Sequence, residues 1–302
     1  MRNPPFAPSA AVLVLSASLV GPVAAQVTQS RPSLSGDWSY SRASGSDGYA
    51  ANSLGVSASW GQLPVTLTLD ATQNLVDAVE TGTQIAASAS WKVSPLWSVT
   101  PRASTASDAT TNVTGRGLAV NWRLHRLWSG KRATRLELGR DVYDYALQSG
   151  AWAGRLPQQT QTHIELQQEL TPAFMITAGW DTYAYSSDPA DLARILVKRK
   201  VRRAVGAASR LGDMMDQSQS LGLNVALGQD WSVDVSALRS RTVIGQEQRQ
   251  WNLGLSWMWH PRSALTLSYG DAHSDAVYAP TGLQLSPAQS DSSMELGIRW
   301  LY

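Results

Sequence analysis

Trp251-Asn252-Leu253-Gly254-Leu255-Ser256-Trp257-Met258-Trp259 is the stretch that decides the fold. Trp251, Leu253, Leu255, Trp257 and Trp259 take every second position, and Asn252, Gly254, Ser256 and Met258 take those between. Successive side chains of a strand point to opposite faces, so this pattern gives a strand one apolar and one mainly small or polar face. The same period recurs along the chain. Val65, Leu67, Leu69 and Ala71 alternate with Thr66, Thr68 and Asp70; Leu118, Val120, Trp122 and Leu124 with Ala119, Asn121 and Arg123; Leu221, Leu223, Val225 and Leu227 with Gly222, Asn224 and Ala226. About fourteen such runs fall near residues 34–43, 50–60, 65–73, 83–93, 97–105, 116–124, 133–145, 161–170, 174–185, 217–227, 231–239, 248–259, 264–272 and 292–302, and an even number is expected of a bacterial single-chain barrel.

The links between runs alternate in length. Gly61–Pro64, Ser94–Leu96, Thr171–Ala173, Gly228–Asp230 and His260–Ser263 are tight, and 125–132 is the one turn of that set that runs long. Longer links are expected near 74–82, 106–115, 146–160, 186–216, 240–247 and 273–291. Trp60, Trp91, Trp97, Trp231, Trp259 and Trp300 fall beside the tight turns, where an amphipathic ring is stable at lipid-headgroup depth. A soluble sandwich would scatter those rings through its core and would carry more lysine on its polar face. In hydrocarbon every unpaired backbone group costs several kcal/mol, so the sheet must close. The expected fold is therefore all-β: one transmembrane antiparallel up-and-down barrel of about 14 strands, with 12 or 16 as the neighbouring even counts.

Both termini carry further signals. Met294, Leu296, Ile298, Trp300 and Tyr302 alternate with Glu295, Gly297, Arg299 and Leu301. This ending resembles the C-terminal insertion signal of bacterial outer-membrane barrels, with a final tyrosine where phenylalanine is commoner. The resemblance is to the porin-like class as a whole. It implies the barrel-assembly machinery as a partner during biogenesis and a Gram-negative outer-membrane location. At the other end, Arg2, the apolar run Ala10–Gly21 and Pro22-Val23-Ala24-Ala25 have the form of a secretory signal peptide, too short in its apolar part to span a membrane. The expected organisation is a signal peptide at 1–25 and a barrel at 26–302, with a long basic loop at 186–216 and both termini periplasmic. The chain has no cysteine, which excludes disulfides, thiolate metal sites and a cysteine nucleophile. A formal net charge of +2 names no partner and gives no reason to expect nucleic acid.

With the apolar set facing lipid, the inner face receives Lys92, Arg102, Arg123, Arg135, Glu137, Asp141, His163, Glu165, Glu169, Asp181, Asp234, Glu295 and Arg299. Arg102, Arg123, Arg135, Glu137, Asp141, Glu165, Asp181 and Arg299 are the candidate pore-lining residues. Charged side chains there either select solutes by sign or fill the interior as ion pairs. Arg140 and Arg239 break the apolar face near the outer strand ends, as phosphate contacts or as side chains snorkelling to water. In the 186–216 loop, Asp188-Pro189 is a good helix start. Arg194, Lys198, Arg199, Lys200, Arg202, Arg203 and Arg210 stand against Asp188, Asp191, Asp213 and Asp216, a net charge of +3. That segment suits a cationic gate, a basic surface helix against lipopolysaccharide phosphates, or a solvated loop. Its charge is similar to that of the arginine-rich lumen of alginate-type exporters, without a shared motif.

Catalytic signals are sparse. Asp271-Ala272-His273 resembles the Asp-x-His pair of the omptin proteases, yet no second acidic dyad accompanies it and it precedes the last strand. No cofactor, metal site or catalytic residue is expected, and the reading is of a non-enzyme. The functions that remain are a channel for small polar solutes or an anionic polysaccharide, a non-conducting barrel contacting lipopolysaccharide or a periplasmic partner, and an outer-rim hydrolase.

Overall fold

A computed structural model describes residues 34–45, 48–60, 63–77, 79–108, 111–125, 133–147, 156–189, 191, 214–278, 284–286 and 288–302. The expected signal peptide and nearly all of the basic loop, including Arg194, Lys198, Arg199, Lys200, Arg202 and Arg203, lie outside these residues. The strands are β1 (Leu34–Gly45), β2 (Tyr49–Trp60), β3 (Val65–Val76), β4 (Val79–Lys92), β5 (Trp97–Asp108), β6 (Thr111–His125), β7 (Ala133–Leu147), β8 (Gln159–Thr171), β9 (Phe174–Tyr185), β10 (Met215–Leu227), β11 (Trp231–Thr242), β12 (Glu247–His260), β13 (Ser263–Ser274), β14 (Val277–Tyr278), β15 (Gln284–Ser286) and β16 (Gln289–Leu301). β1–β13 and β16 form one closed antiparallel barrel of 14 strands, each paired with its sequence neighbours and β16 returning to β1. β14 and β15 make a separate small hairpin between β13 and β16.

Closure is made by both kinds of bond. Trp38 pairs with Trp300 and Asp37 with Leu301 in the ladder. Gly36 and Tyr302 exchange backbone bonds of 3.2 and 3.0 Å, and the Tyr302 hydroxyl donates to the Ser57 carbonyl at 3.0 Å. On the inner face Arg299 pairs with Asp37. The residues of the insertion-signal resemblance, Met294 to Tyr302, thus form the second half of β16, the strand that seals the sheet, and the residue that follows it.

The molecule is inverted relative to a soluble protein. Leu221 is 59% exposed and Leu296 54%, whereas the buried apolar residues among the described residues are Ala51, Ala119 and Met214. A wall of leucine, valine and tryptophan facing outward is stable only in an apolar surround. At the end that holds Leu34 and Tyr302, the tryptophans join into a band. Trp231 stacks on Trp257 at 5.4 Å, Trp257 lies 6.3 Å from Trp259, and His260 stacks on Trp300 at 6.5 Å.

Links 61–64, 93–96, 172–173, 228–230 and 261–262 join strands at this tryptophan end. At the far end the structure corrects the expected links. The ladder runs to Val76 and restarts at Val79, runs to Asp108 and restarts at Thr111, and runs to Thr242 and restarts at Glu247, so the strands extend into three of the expected long links and leave two, two and four residues between them. The strands pass beyond the apolar band. There the outward positions include Gln73, Thr83, Ser107, Asn112 and Thr114, with Thr83 and Ser107 hydroxyls bonded at 3.1 Å. Both faces become polar, the period-2 signal vanishes, and backbone pairing continues regardless. At the tryptophan end, Gly228 opens the β10–β11 turn with φ +83°. Nothing stands within 4 Å of where its Cβ would lie, so only backbone strain opposes a side chain there. Gly228→Ala is expected to cost about 1 kcal/mol, read as a lower urea midpoint at unchanged slope.

Candidate functional site: the inner wall at β5 to β9

Register alone sets which inward side chains share a row. One row runs Arg102, Gly117, Asp141, Gln161 and Tyr183 across β5 to β9, and the next runs Thr100, Ala119, Gly139, His163 and Asp181. Ser98, Asn121, Glu137, Glu165 and Gly179 follow, then Arg123, Arg135, Gln167 and Thr177 on β6 to β9.

Glycine on the middle strand makes the central contact. Arg102 on β5 reaches over β6 to Asp141 on β7, giving Nε to Oδ1 at 2.6 Å and Nη2 to Oδ2 at 2.5 Å. A Cβ on Gly117 would collide with the Asp141 carboxylate, and one on Gly139 would meet Arg102 Nη2. The guanidinium also has Glu137 at 3.7 Å. This fork-to-fork pair is the strongest common geometry between a base and a carboxylate. Asp141 itself is only 4% exposed.

A second cluster adjoins it. Asp181 accepts from Gln161 Nε2 at 2.8 Å and from Ser218 Oγ at 2.9 Å, and its Oδ1 lies 2.7 Å from His163 Nδ1. Glu165 accepts from Gln167 Nε2 at 2.7 Å, with His163 Nε2 at 3.9 Å. Towards the far end Tyr143, Tyr145, Tyr183 and Tyr185 line the same wall. Tyr143 covers Gly115, Tyr145 donates to the Gln159 side chain, and Tyr185 donates to the Met215 carbonyl at 2.5 Å. The rest of the inner face is mostly small and hydroxylic, as in the Ser59–Thr66 pair at 2.7 Å and the Ser53–Thr72 pair at 3.1 Å.

All eight candidate pore-lining residues take the inward parity. Arg102, Glu137, Asp141, Glu165 and Asp181 are brought together; Arg123 and Arg135 stand opposite each other nearer the tryptophan end; Arg299 is on the far wall with Asp37. The tyrosine cluster and Ser218 were not among the expected site residues. Their signal is parity, since Tyr143 and Tyr145 keep step with Asp141, and Tyr183 and Tyr185 with Asp181. Asp271 and His273 point outward on β13, away from this wall, with His273 Nε2 3.4 Å from Asp275. Among the described residues no group of three or more His, Asp or Glu side chains is placed to hold a metal.

The inward charges do not balance. Asp37, Asp70, Asp108, Glu137, Asp141, Glu165, Glu169, Asp181, Asp234, Asp291 and Glu295 are eleven acids. Lys92, Arg102, Arg123, Arg135 and Arg299 are five bases, which leaves an excess of six negative charges among the described residues with His163 neutral.

No protein-family model matches the chain, and no curated protein matches its sequence. Solved structures do match. The CymD monoaromatic hydrocarbon channel gives a TM-score of 0.50 at 9% identity, covering 90% of this chain and 88% of that one. The outer membrane protein OprD from Pseudomonas aeruginosa gives 0.47 at 8% identity, with 89% and 93% covered. A KdgM porin gives 0.44 at 9% identity, with 87% and 98% covered. At these identities the likeness to CymD is one of fold, a closed antiparallel barrel of the outer-membrane porin type.

Proposed function

We propose that this chain is a passive channel of the Gram-negative outer membrane that admits small polar solutes and prefers cations, with the tryptophan end on the periplasmic side. The observation that carries the reading is the inward excess of six negative charges among the described residues, on the wall of a 14-strand barrel.

Width follows from strand number. Fourteen strands about 4.8 Å apart and tilted by about 40° give a backbone radius of roughly 14 Å, against about 8 Å for eight strands. Side chains reaching about 6 Å inward nearly fill the smaller barrel and leave a wide passage in the larger. A low-dielectric wall focuses the field of its charges into that passage, raising the local concentration of cations and lowering that of anions. Transport of an anionic polysaccharide, the other channel reading, runs against this field.

The test is single-channel conductance of the purified chain in planar bilayers, with reversal potentials across a KCl gradient. Stable conductance with K+ favoured several-fold over Cl− is expected. Glu137→Gln/Glu165→Gln removes two negative charges that oppose each other on β7 and β8 and is expected to reduce the preference at unchanged conductance within about twofold. Absence of conductance from folded, heat-modifiable protein would leave a closed surface barrel instead.

A further inference from the structure

On the outer surface of β6 to β8, two arginines stand at the upper limit of the apolar band. Arg116 is the outward residue next beyond Leu118 on β6, and Arg140 the one next beyond Leu138 on β7. Arg116 lies opposite Val142 and Arg140 opposite Leu118, so the two are diagonal neighbours about 7–8 Å apart, with their Cβ atoms somewhat closer. With Leu138, Val142 and Ile164 they frame a groove of 630 Å³. Neither guanidinium has a carboxylate within 4 Å among the described residues. Asp144, the other diagonal neighbour of Arg116, accepts from Gln158 Nε2 at 2.9 Å and lies beyond ion-pair distance of Arg116.

The outer face at β10 to β12 shows a different arrangement of adjacent arginines, whereas the lone outward Arg42 on β1, set between Leu296 and Asn52, has no carboxylate within 4 Å among the described residues either. Arg239 and Arg249 face each other directly on β11 and β12. Glu247 bridges them, at 2.9 Å from Arg239 and 3.5 Å from Arg249, and Arg241 pairs with Asp216. Acids contact the arginines that meet there, and among the described residues none contacts Arg116 or Arg140. Two like charges held side by side above hydrocarbon repel each other and are costly to desolvate, unless an anion from outside the chain joins them. The planar guanidinium fork suits phosphate, and the apolar groove beside it suits acyl chains.

We propose that Arg116 and Arg140 clamp a phosphate of the outer-leaflet glycolipid, lipopolysaccharide, whose acyl chains lie against Leu118, Leu138, Val142 and Ile164. This rests on the outer-membrane placement and orientation given above. The test titrates the folded full chain in detergent with diphosphorylated lipid A, with the same glycolipid dephosphorylated, and with phosphatidylglycerol, reading bound lipid by native mass spectrometry. Wild type is expected to prefer diphosphorylated lipid A by about tenfold over either, consistent with one or two charge-assisted bonds. Arg116→Gln/Arg140→Gln is expected to lose the preference, and Arg239→Gln/Arg249→Gln to keep it. A double variant at 116 and 140 that retains the preference overturns the proposal, as does wild type that takes phosphatidylglycerol equally well. Conductance separates the two readings, because these side chains face away from the lumen. Phosphate-dependent binding by a chain that does not conduct removes the channel and leaves the clamp.

Discussion

Leu253→Arg is expected to lower the unfolding free energy in lipid vesicles by about 2–4 kcal/mol, while Asn252→Arg, one residue away, costs about 1 kcal/mol or less. Leu253 is in the middle of β12, faces outward between Val235 and Tyr269, and is 45% exposed. A guanidinium there must sit in hydrocarbon or drag water and headgroups towards it. Asn252 faces inward between Ser236 and Gly270, where an arginine meets water and an excess of acids. The comparison uses urea midpoints at equal slope, so that a changed unfolded state is not read as stability. Equal costs at the two positions would falsify the assignment of faces, and with it every inward residue named above. A second readout comes from conductance: Asn252→Arg adds a positive charge to the lumen and shifts the reversal potential towards anions, whereas Leu253→Arg leaves it unchanged.

That contrast depends on one bit of information per residue, its parity, and parity is what the sequence displays best. A lipid-facing strand must be apolar on one side at every second position, so strands such as Trp251–Trp259 and Met294–Tyr302 announce both their extent and their faces. The same rule explains where legibility stops. Near Gln73, Thr83, Ser107 and Asn112 the outward side chains meet water or headgroups, no face needs to be apolar, and the ladder continues unmarked to turns such as Asp77 with φ 50°. Membership of the inner wall was legible by the same parity. The contacts were not, because Arg102 and Asp141 are separated by 38 intervening residues and a whole strand. Their meeting depends on Gly117 being short on the strand between them, a relation that only register reveals. Likewise, Arg239 and Arg140 read alike in sequence, and only pairing shows that Glu247 serves the first and nothing described serves the second.

Arg102→Met is expected to destabilise the barrel by about 2–3 kcal/mol, and Arg102→Met/Asp141→Asn to recover most of that loss. Breaking a buried ion pair from one side typically costs 3–5 kcal/mol, since the remaining charge keeps its desolvation and loses its partner. Asp141 is buried, but the Arg102 side chain is 32% exposed, so lumen water softens the penalty and places the expectation below that range. Asparagine at 141 removes the stranded charge, and the two substitutions should couple by about 1.5 kcal/mol or more in a double-mutant cycle. The same variants move selectivity with opposite signs. Arg102→Met deepens the negative excess and strengthens cation preference; Asp141→Asn removes one negative charge, leaves Arg102 with Glu137 alone and weakens that preference; the double variant returns close to wild type. A stability effect within about 0.5 kcal/mol of zero, or strictly additive losses, would show that the pair does not hold β5 to β7 together across Gly117. A stability loss without any shift in reversal potential would place the pair outside the conducting path while leaving its structural role intact.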